Sequence, residues 1–91
     1  MEVKRNAVAG TLESSDIFLE VFPKDGGIEI ELQSIVMQQY GEEIKQVIAD
    51  TVRAHSVDNV LIRANDRGAL ECVIRARVET ALVRAGKDGE Q

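Results

Sequence analysis

Residues 28–34 read I-E-I-E-L-Q-S. Apolar Ile28, Ile30 and Leu32 alternate with polar Glu29, Glu31 and Gln33. Successive side chains of a strand point to opposite faces, so this segment predicts a strand with one face packed and the other in water. The period then changes. Val36, Tyr40, Ile44, Val47, Ile48, Thr51 and Val52 recur at steps of three and four, which predicts a helix over 35–54 with one apolar stripe. Gly41 weakens that helix by about 1 kcal/mol relative to alanine. A half-wet strand followed directly by an amphipathic helix predicts two layers, with helices on one side of a sheet.

Upstream, D-I-F-L-E-V-F at 16–22 predicts a strand with Ile17, Leu19 and Val21 on one face and Phe18 and Phe22 on the other. Between these strands, P-K-D-G-G at 23–27 has the D-G and G-G pairs of a tight hairpin. Residues 7–12 predict a further short strand. Downstream, Val60, Leu61 and Ile62 centre a buried strand over 58–64. Asp66 is the expected N-cap of a last helix, from Arg67 or Gly68 to Arg84. Its stripe is Leu70, Val73, Ile74, Val78, Ala81 and Leu82. Arg84 favours the helix dipole and Gly86 suits the terminus. The order is β-β-β-α-β-α, and the fold class is an α+β two-layer sandwich: a mostly antiparallel sheet with two helices on one face.

Ninety-one residues predict one domain, 1–91, with 86–91 a flexible tail. A chain this short builds one modest core and no deep catalytic cavity. Apolar residues at 44% and charged ones at 30% place it among globular chains. No apolar run reaches the ~18 residues of a membrane span, and no apolar stretch follows the basic residues near Met1, so no signal peptide is expected. With the single Cys72, these features predict a cytoplasmic protein without a membrane partner. A net charge of −5 argues against nucleic acid. The charge is uneven: residues 1–52 hold four basic and ten acidic side chains, residues 53–87 seven and four. The basic half reads as a solvated helix face or as a docking patch for an acidic or phosphate-bearing group.

Catalytic motifs are few. His55 is the only histidine and sits at a helix end, where it favours the dipole. It and Cys72 supply no paired-ligand spacing, so no metal is expected. Cys72 reads as a partly buried structural thiol, with Arg75 one turn away. Ser14, His55 and Asp50 or Asp58 form a hydrolase triad on paper only, without a nucleophile elbow or glycine-rich oxyanion loop. Gly26, Gly27 and Gly68 make no phosphate loop, and Glu42 and Glu43 are adjacent on a helix and point apart. No catalytic residue is expected.

The remaining feature is A-V-A-G-T-L-E-S-S-D at 7–16, a strand running into a polar turn. Hydroxyls there are exposed because loops run over the surface. From spacing alone, Ser14, Ser15 and Asp16 are a polar hairpin turn, although an exposed hydroxyl can also be a capping group, a nucleophile or a covalent anchor. This stretch, with D-R-G-A-L-E-C-V-I-R-A-R at 66–77 and Q-Y-G at 39–41, resembles the acyl carrier protein of citrate lyase, the gamma subunit. The similarity runs from Val3 to Ala85 and weakens in the tail.

The resemblance implies a non-catalytic carrier. Its prosthetic group is 2'-(5''-phosphoribosyl)-3'-dephospho-CoA, joined by a phosphodiester to the first serine after L-E, here Ser14. It implies three partners: the alpha (transferase) subunit, which exchanges acetyl for citryl on the arm's thiol; the beta (lyase) subunit, which cleaves citryl to oxaloacetate and leaves acetyl; and a prosthetic-group transferase. Arg63, Arg67, Arg75 and Arg77 are candidates to meet the arm's phosphates. The carriers of malonate decarboxylase and citramalate lyase are the neighbouring alternatives, and a small unmodified adaptor is the rival of another class. Fatty-acid carriers, helix bundles with D-S-L at a helix start, do not share this strand-flanked S-S-D.

Overall fold

A computed structural model describes residues 1–86 of the chain. Its elements are β1 (Ala7–Gly10), β2 (Ile17–Phe22), β3 (Ile28–Ser34), α1 (Met37–Ala54), β4 (Val60–Asp66) and α2 (Glu71–Gly86), in the expected order. Gly86, placed in the tail by sequence, is thus the last residue of α2, and 87–91 lie outside the described residues. The four strands form one sheet in the order β1-β2-β4-β3. β1 pairs with β2, and β2 with β4, antiparallel; β3 and β4 are parallel.

That parallel pair corrects one expectation. Residues 23–27 are not a hairpin, because β4 lies between β2 and β3. Parallel neighbours need a crossover, and α1 supplies it. The glycines still turn the chain, at φ +88° for Gly26 and +108° for Gly27. Gly27 N–H donates to Asn59 Oδ1 at 2.8 Å and its carbonyl accepts from Val60 N–H at 3.0 Å, which fastens the loop to the start of β4.

Strand alternation holds throughout the interior of the sheet. Ile17, Leu19 and Val21 are fully buried while Phe18 and Phe22 are half-buried on the opposite side. β4 alternates too, burying Val60, Ile62, Ala64 and Asp66, so the segment expected to be buried all round has one open face carrying Leu61, Arg63 and Asn65. The packed face meets Ile44, Ile48 and Val52 of α1 and Ile74, Val78 and Leu82 of α2 in one apolar cluster, the two-layer sandwich expected. Val3 and Val57 close its edges.

Two helix details differ from the sequence reading. Tyr40 is exposed, and Gly41 is buried in its place, with Met37 lying over it. α2 starts at Glu71, not at Arg67 or Gly68, and Leu70 stands in solvent just before it. The reason is that Asp66 ends β4 instead of capping a helix. Its buried carboxylate accepts from the Ser34 hydroxyl at 2.8 Å and from Ala69 N–H at 3.0 Å. Residues 67–70 then form a loop with Gly68 at φ +92°, and the Leu70 carbonyl accepts the first helical bonds, from Val73 and Ile74. Among the described residues no helix is long and apolar enough to cross a membrane.

Candidate functional site

β1 ends at Gly10, whose φ of +90° turns the chain away from the sheet. A Cβ there would run into the Ile17 carbonyl, so glycine is required for the strands to part at this point. Residues 11–16 bridge to β2. Asp16 N–H donates to the Glu13 carbonyl at 3.2 Å, which makes residues 13–16 a β-turn with Ser14 and Ser15 at its centre. Ser15 has φ +66°, the left-handed backbone that a type II turn needs at its third position. Holding a non-glycine residue there costs about 1 kcal/mol or more.

The neighbouring chain offsets that strain. Ser15 N–H donates to the Arg67 carbonyl at 2.8 Å, and Arg67 N–H returns a bond to the Asp16 carbonyl at 2.9 Å. The Asp16 carboxylate is the hub. One oxygen accepts from the Thr11 hydroxyl at 2.7 Å and from Arg77 Nη2 at 2.7 Å. The other accepts from Ile17 N–H at 2.7 Å and from Arg77 Nε at 3.0 Å. Thr11 Oγ1 also accepts from Glu13 N–H at 3.2 Å. The Arg77 fork matches the carboxylate edge to edge, the strongest form of such a pair. Hydrogen bonds from Arg77, then from Thr11, hold the Asp16 carboxyl down at about 2 against a smaller opposing effect of burial. The same contact pushes the Arg77 guanidinium up.

Within this frame Ser14 and Ser15 are exposed, and neither hydroxyl takes a hydrogen-bond partner among the described residues. The arrangement fixes the backbone and leaves Ser14 Oγ free for an external group.

Of the four arginines singled out by sequence, two reach this turn. Arg77 anchors it through Asp16. Arg67 joins through its backbone, and its exposed guanidinium has no ion pair or hydrogen bond among the described residues. The other two are engaged elsewhere. Arg63 bonds Glu31 at 2.8 Å across the open sheet face and lies 5.2 Å from the Phe22 ring centre. Arg75 bonds Glu71 at 2.9 Å and the Thr51 hydroxyl at 3.3 Å, between the helices.

The paper triad does not assemble. His55 closes α1, ahead of the start of β4, whereas the serine turn sits where β4 finishes. His55 pairs instead with Glu79 of α2 at 3.2 Å. Cys72, expected to be partly buried, is exposed, on the face of α2 turned away from buried Ile74 and Val78. Among the described residues no three His, Cys, Asp or Glu side chains converge as metal ligands. The part of the site that sequence reading missed is the Asp16–Arg77 lock. Its partners are 61 positions apart, and no local period connects them.

A family model described as "ACP: Malonate decarboxylase delta subunit (MdcD)" matches residues 4–85. The citrate lyase acyl carrier protein of Halothermothrix orenii is 53% identical over 91 residues, covering 100% of this chain and 97% of that one. The chain belongs to the citrate lyase acyl carrier protein family. The family member from Lactiplantibacillus plantarum is 54% identical over 85 residues, 93% of this chain and 88% of its own. A chain in the crystal structure of a Pseudomonas malonate decarboxylase hetero-tetramer in complex with malonate superposes at a TM-score of 0.80. It covers 92% of this chain and 87% of that one at 22% identity, a likeness of fold. The expected resemblance to the citrate lyase acyl carrier proteins is therefore borne out at the level of the family.

Proposed function

We propose that this chain is the acyl carrier subunit of a citrate lyase and that Ser14 Oγ is the phosphodiester anchor of 2'-(5''-phosphoribosyl)-3'-dephospho-CoA. The observation that carries the reading is an exposed, unpartnered hydroxyl at the centre of a turn whose backbone is held by Arg67 and by the Asp16–Arg77 pair. Ser15 suits the role less well, because its backbone is bound to Arg67 in a strained conformation that serves the turn. When attached, the arm supplies a terminal thiol that carries acyl groups between partner subunits. The chain itself supplies a rigid base and does no bond-making. A tether of this kind makes delivery intramolecular, with an effective concentration in the ~mM range for sites it can span. The alpha and beta lyase subunits and a prosthetic-group transferase are the partners of this reading, in the cytoplasm.

The Arg67 guanidinium, free beside the turn, meets the arm's phosphates. Arg63 and Arg75 already hold carboxylates of their own, which favours Arg67 for that role. The malonate decarboxylase reading draws on the family description and the shared fold, but its structural relative is 22% identical against 53% for the citrate lyase carrier.

Peptide mass mapping of the protein from citrate-fermenting cells tests the anchor. The adduct is expected on residue 14, lost in Ser14→Ala and kept in Ser15→Gly, which relaxes the positive φ. An adduct on Ser15, or full lyase activity with neither serine modified, overturns the proposal. Arg67→Glu should slow loading and reduce its salt dependence, whereas Arg75→Glu should leave loading unchanged. Partner identity is read by co-purification: malonate decarboxylase subunits in place of lyase subunits would decide for the second reading.

A further inference from the structure

A cleft of about 400 Å³ opens between the N-terminal halves of α1 and α2. Its walls are apolar: Val36, Tyr40, Ile44 and Val47 on one side, Ala69 and Ile74 on the other. Ligand pockets begin at roughly this size. Three large apolar side chains stand in solvent around it, Ile35 at 66%, Tyr40 at 53% and Leu70 at 70% exposure. Exposed apolar groups gathered at one opening mark a surface that receives something. Gly68, at φ +92°, turns the chain at the lip, with Ile35 Cδ1 within ordinary contact of where its Cβ would stand.

The cleft lies one loop away from the serine turn. The Arg67 carbonyl holds Ser15, and the next two residues, Gly68 and Ala69, line the cleft. Its charged lining residues are all acidic: Glu43, Asp66 and Glu71. Asp66 is buried and bonded to Ser34 and Ala69, Glu71 shares Arg75, and Glu43 has no ion pair among the described residues. Such a cleft accepts an uncharged apolar group and opposes an anionic one, which would lose its hydration beside like charge.

Resting on Ser14 as the anchor, we propose that this cleft receives the S-acetyl end of the arm and rejects the S-citryl end. Acetyl is neutral and small. Citryl carries carboxylates. Exchange of acetyl for citryl therefore expels the arm into solvent, where the cleaving subunit can take it, and return to acetyl draws it back into shelter from water. The phosphates of the arm stay near Arg67, away from the acidic mouth.

Tyr40 is the only tyrosine and the chain has no tryptophan, so intrinsic fluorescence reports this cleft alone. The experiment uses the full-length carrier with its arm mapped to Ser14 by mass, in thiol, S-acetyl and S-citryl forms. The acetyl form should change Tyr40 emission and show nuclear Overhauser contacts from a labelled acetyl methyl to Tyr40, Ile44 and Ile74. Its thioester should react with hydroxylamine about tenfold more slowly than in Ala69→Leu, which fills the cleft, as burial of two carbons implies. The citryl form should show no such contacts until Glu43→Lys, an exposed change that leaves the core intact, admits it. Acetyl and citryl forms behaving alike, or an acetyl form with neither contacts nor protection, overturns the inference while leaving the anchor in place. An arm mapped to another residue overturns both.

Discussion

β2 is bounded by two loops that solve the same problem differently. At its start, residues 11–16 are held by remote contacts: Asp16 binds Thr11, Ile17 N–H and Arg77, and the Arg67 backbone bonds Ser15 N–H and the Asp16 carbonyl. At its end, residues 23–27 rely on backbone freedom. Gly26 and Gly27 take positive φ, a Cβ on Gly27 would meet nothing within 4 Å, and the Lys24–Glu29 pair is loose at 3.7 Å. The first loop keeps a strained serine in place and an adjacent hydroxyl exposed; the second only has to turn the chain. Where a loop must present a group, a partly buried ion pair and several remote contacts fix it; where it only connects, two glycines and one tie to the next strand, Gly27 to Asn59 and Val60, are enough.

The largest test of this contrast is a pair of glycine substitutions. Gly10→Ala puts a methyl into the Ile17 carbonyl and should cost more than about 3 kcal/mol by urea unfolding. Gly27→Ala should cost about 1 kcal/mol, the strain of its φ alone. Similar losses at the two sites would break the comparison. Next is Asp16→Ala, expected to cost about 2 kcal/mol and to speed amide exchange at Ser15 and Ile17, because charged hydrogen bonds are lost together. Its pH dependence sharpens the point. The Asp16 carboxyl is depressed from 3.8 to about 2, so its stabilisation is complete above the ordinary value and disappears as pH falls through about 2. The stability gap between the natural chain and Asp16→Asn should therefore close over that acid window and stay constant above it. The smallest effect belongs to the second loop: Lys24→Ala should change stability by no more than about 0.5 kcal/mol, as exposed pairs do. His55→Ala should likewise retain the fold and the carrier role, since the one side-chain hydrogen bond of His55 among the described residues is to the exposed Glu79 at a helix end.

The contrast also explains what could be read from the chain alone. Element types and order follow from local period: two for Ile28 to Leu32, three and four for Ile44 to Val52. The exposed turn at Ser14 follows from polar residues between strand patterns. Pairing does not follow, because P-K-D-G-G turns the chain whether or not the next strand is a neighbour, so the insertion of β4 between β2 and β3 was invisible. The start of α2 was missed because Asp66 has the chemistry of a cap, yet spends it on Ser34 and the loop N–H of Ala69. Leu70 and Tyr40 fit the apolar spacing of their helices but stand in solvent beside the interhelical cleft. Local pattern identifies what an element is; which residues leave the pattern to build a site depends on contacts between elements.

The Asp16–Arg77 lock also has a consequence in time. The turn that presents Ser14 is completed by the Arg67 backbone and the Arg77 side chain, the latter 61 positions downstream. Synthesis runs from the N-terminus, so Ser14 leaves the ribosome long before the groups that shape its surroundings. A half-made chain offers a serine in loose polypeptide; only a chain with β4 in the middle of the sheet and α2 laid across it offers the serine on its finished turn. The surface around Ser14 thus forms only once β4 and α2 are in place, so whatever recognises that surface selects folded molecules without any separate inspection step.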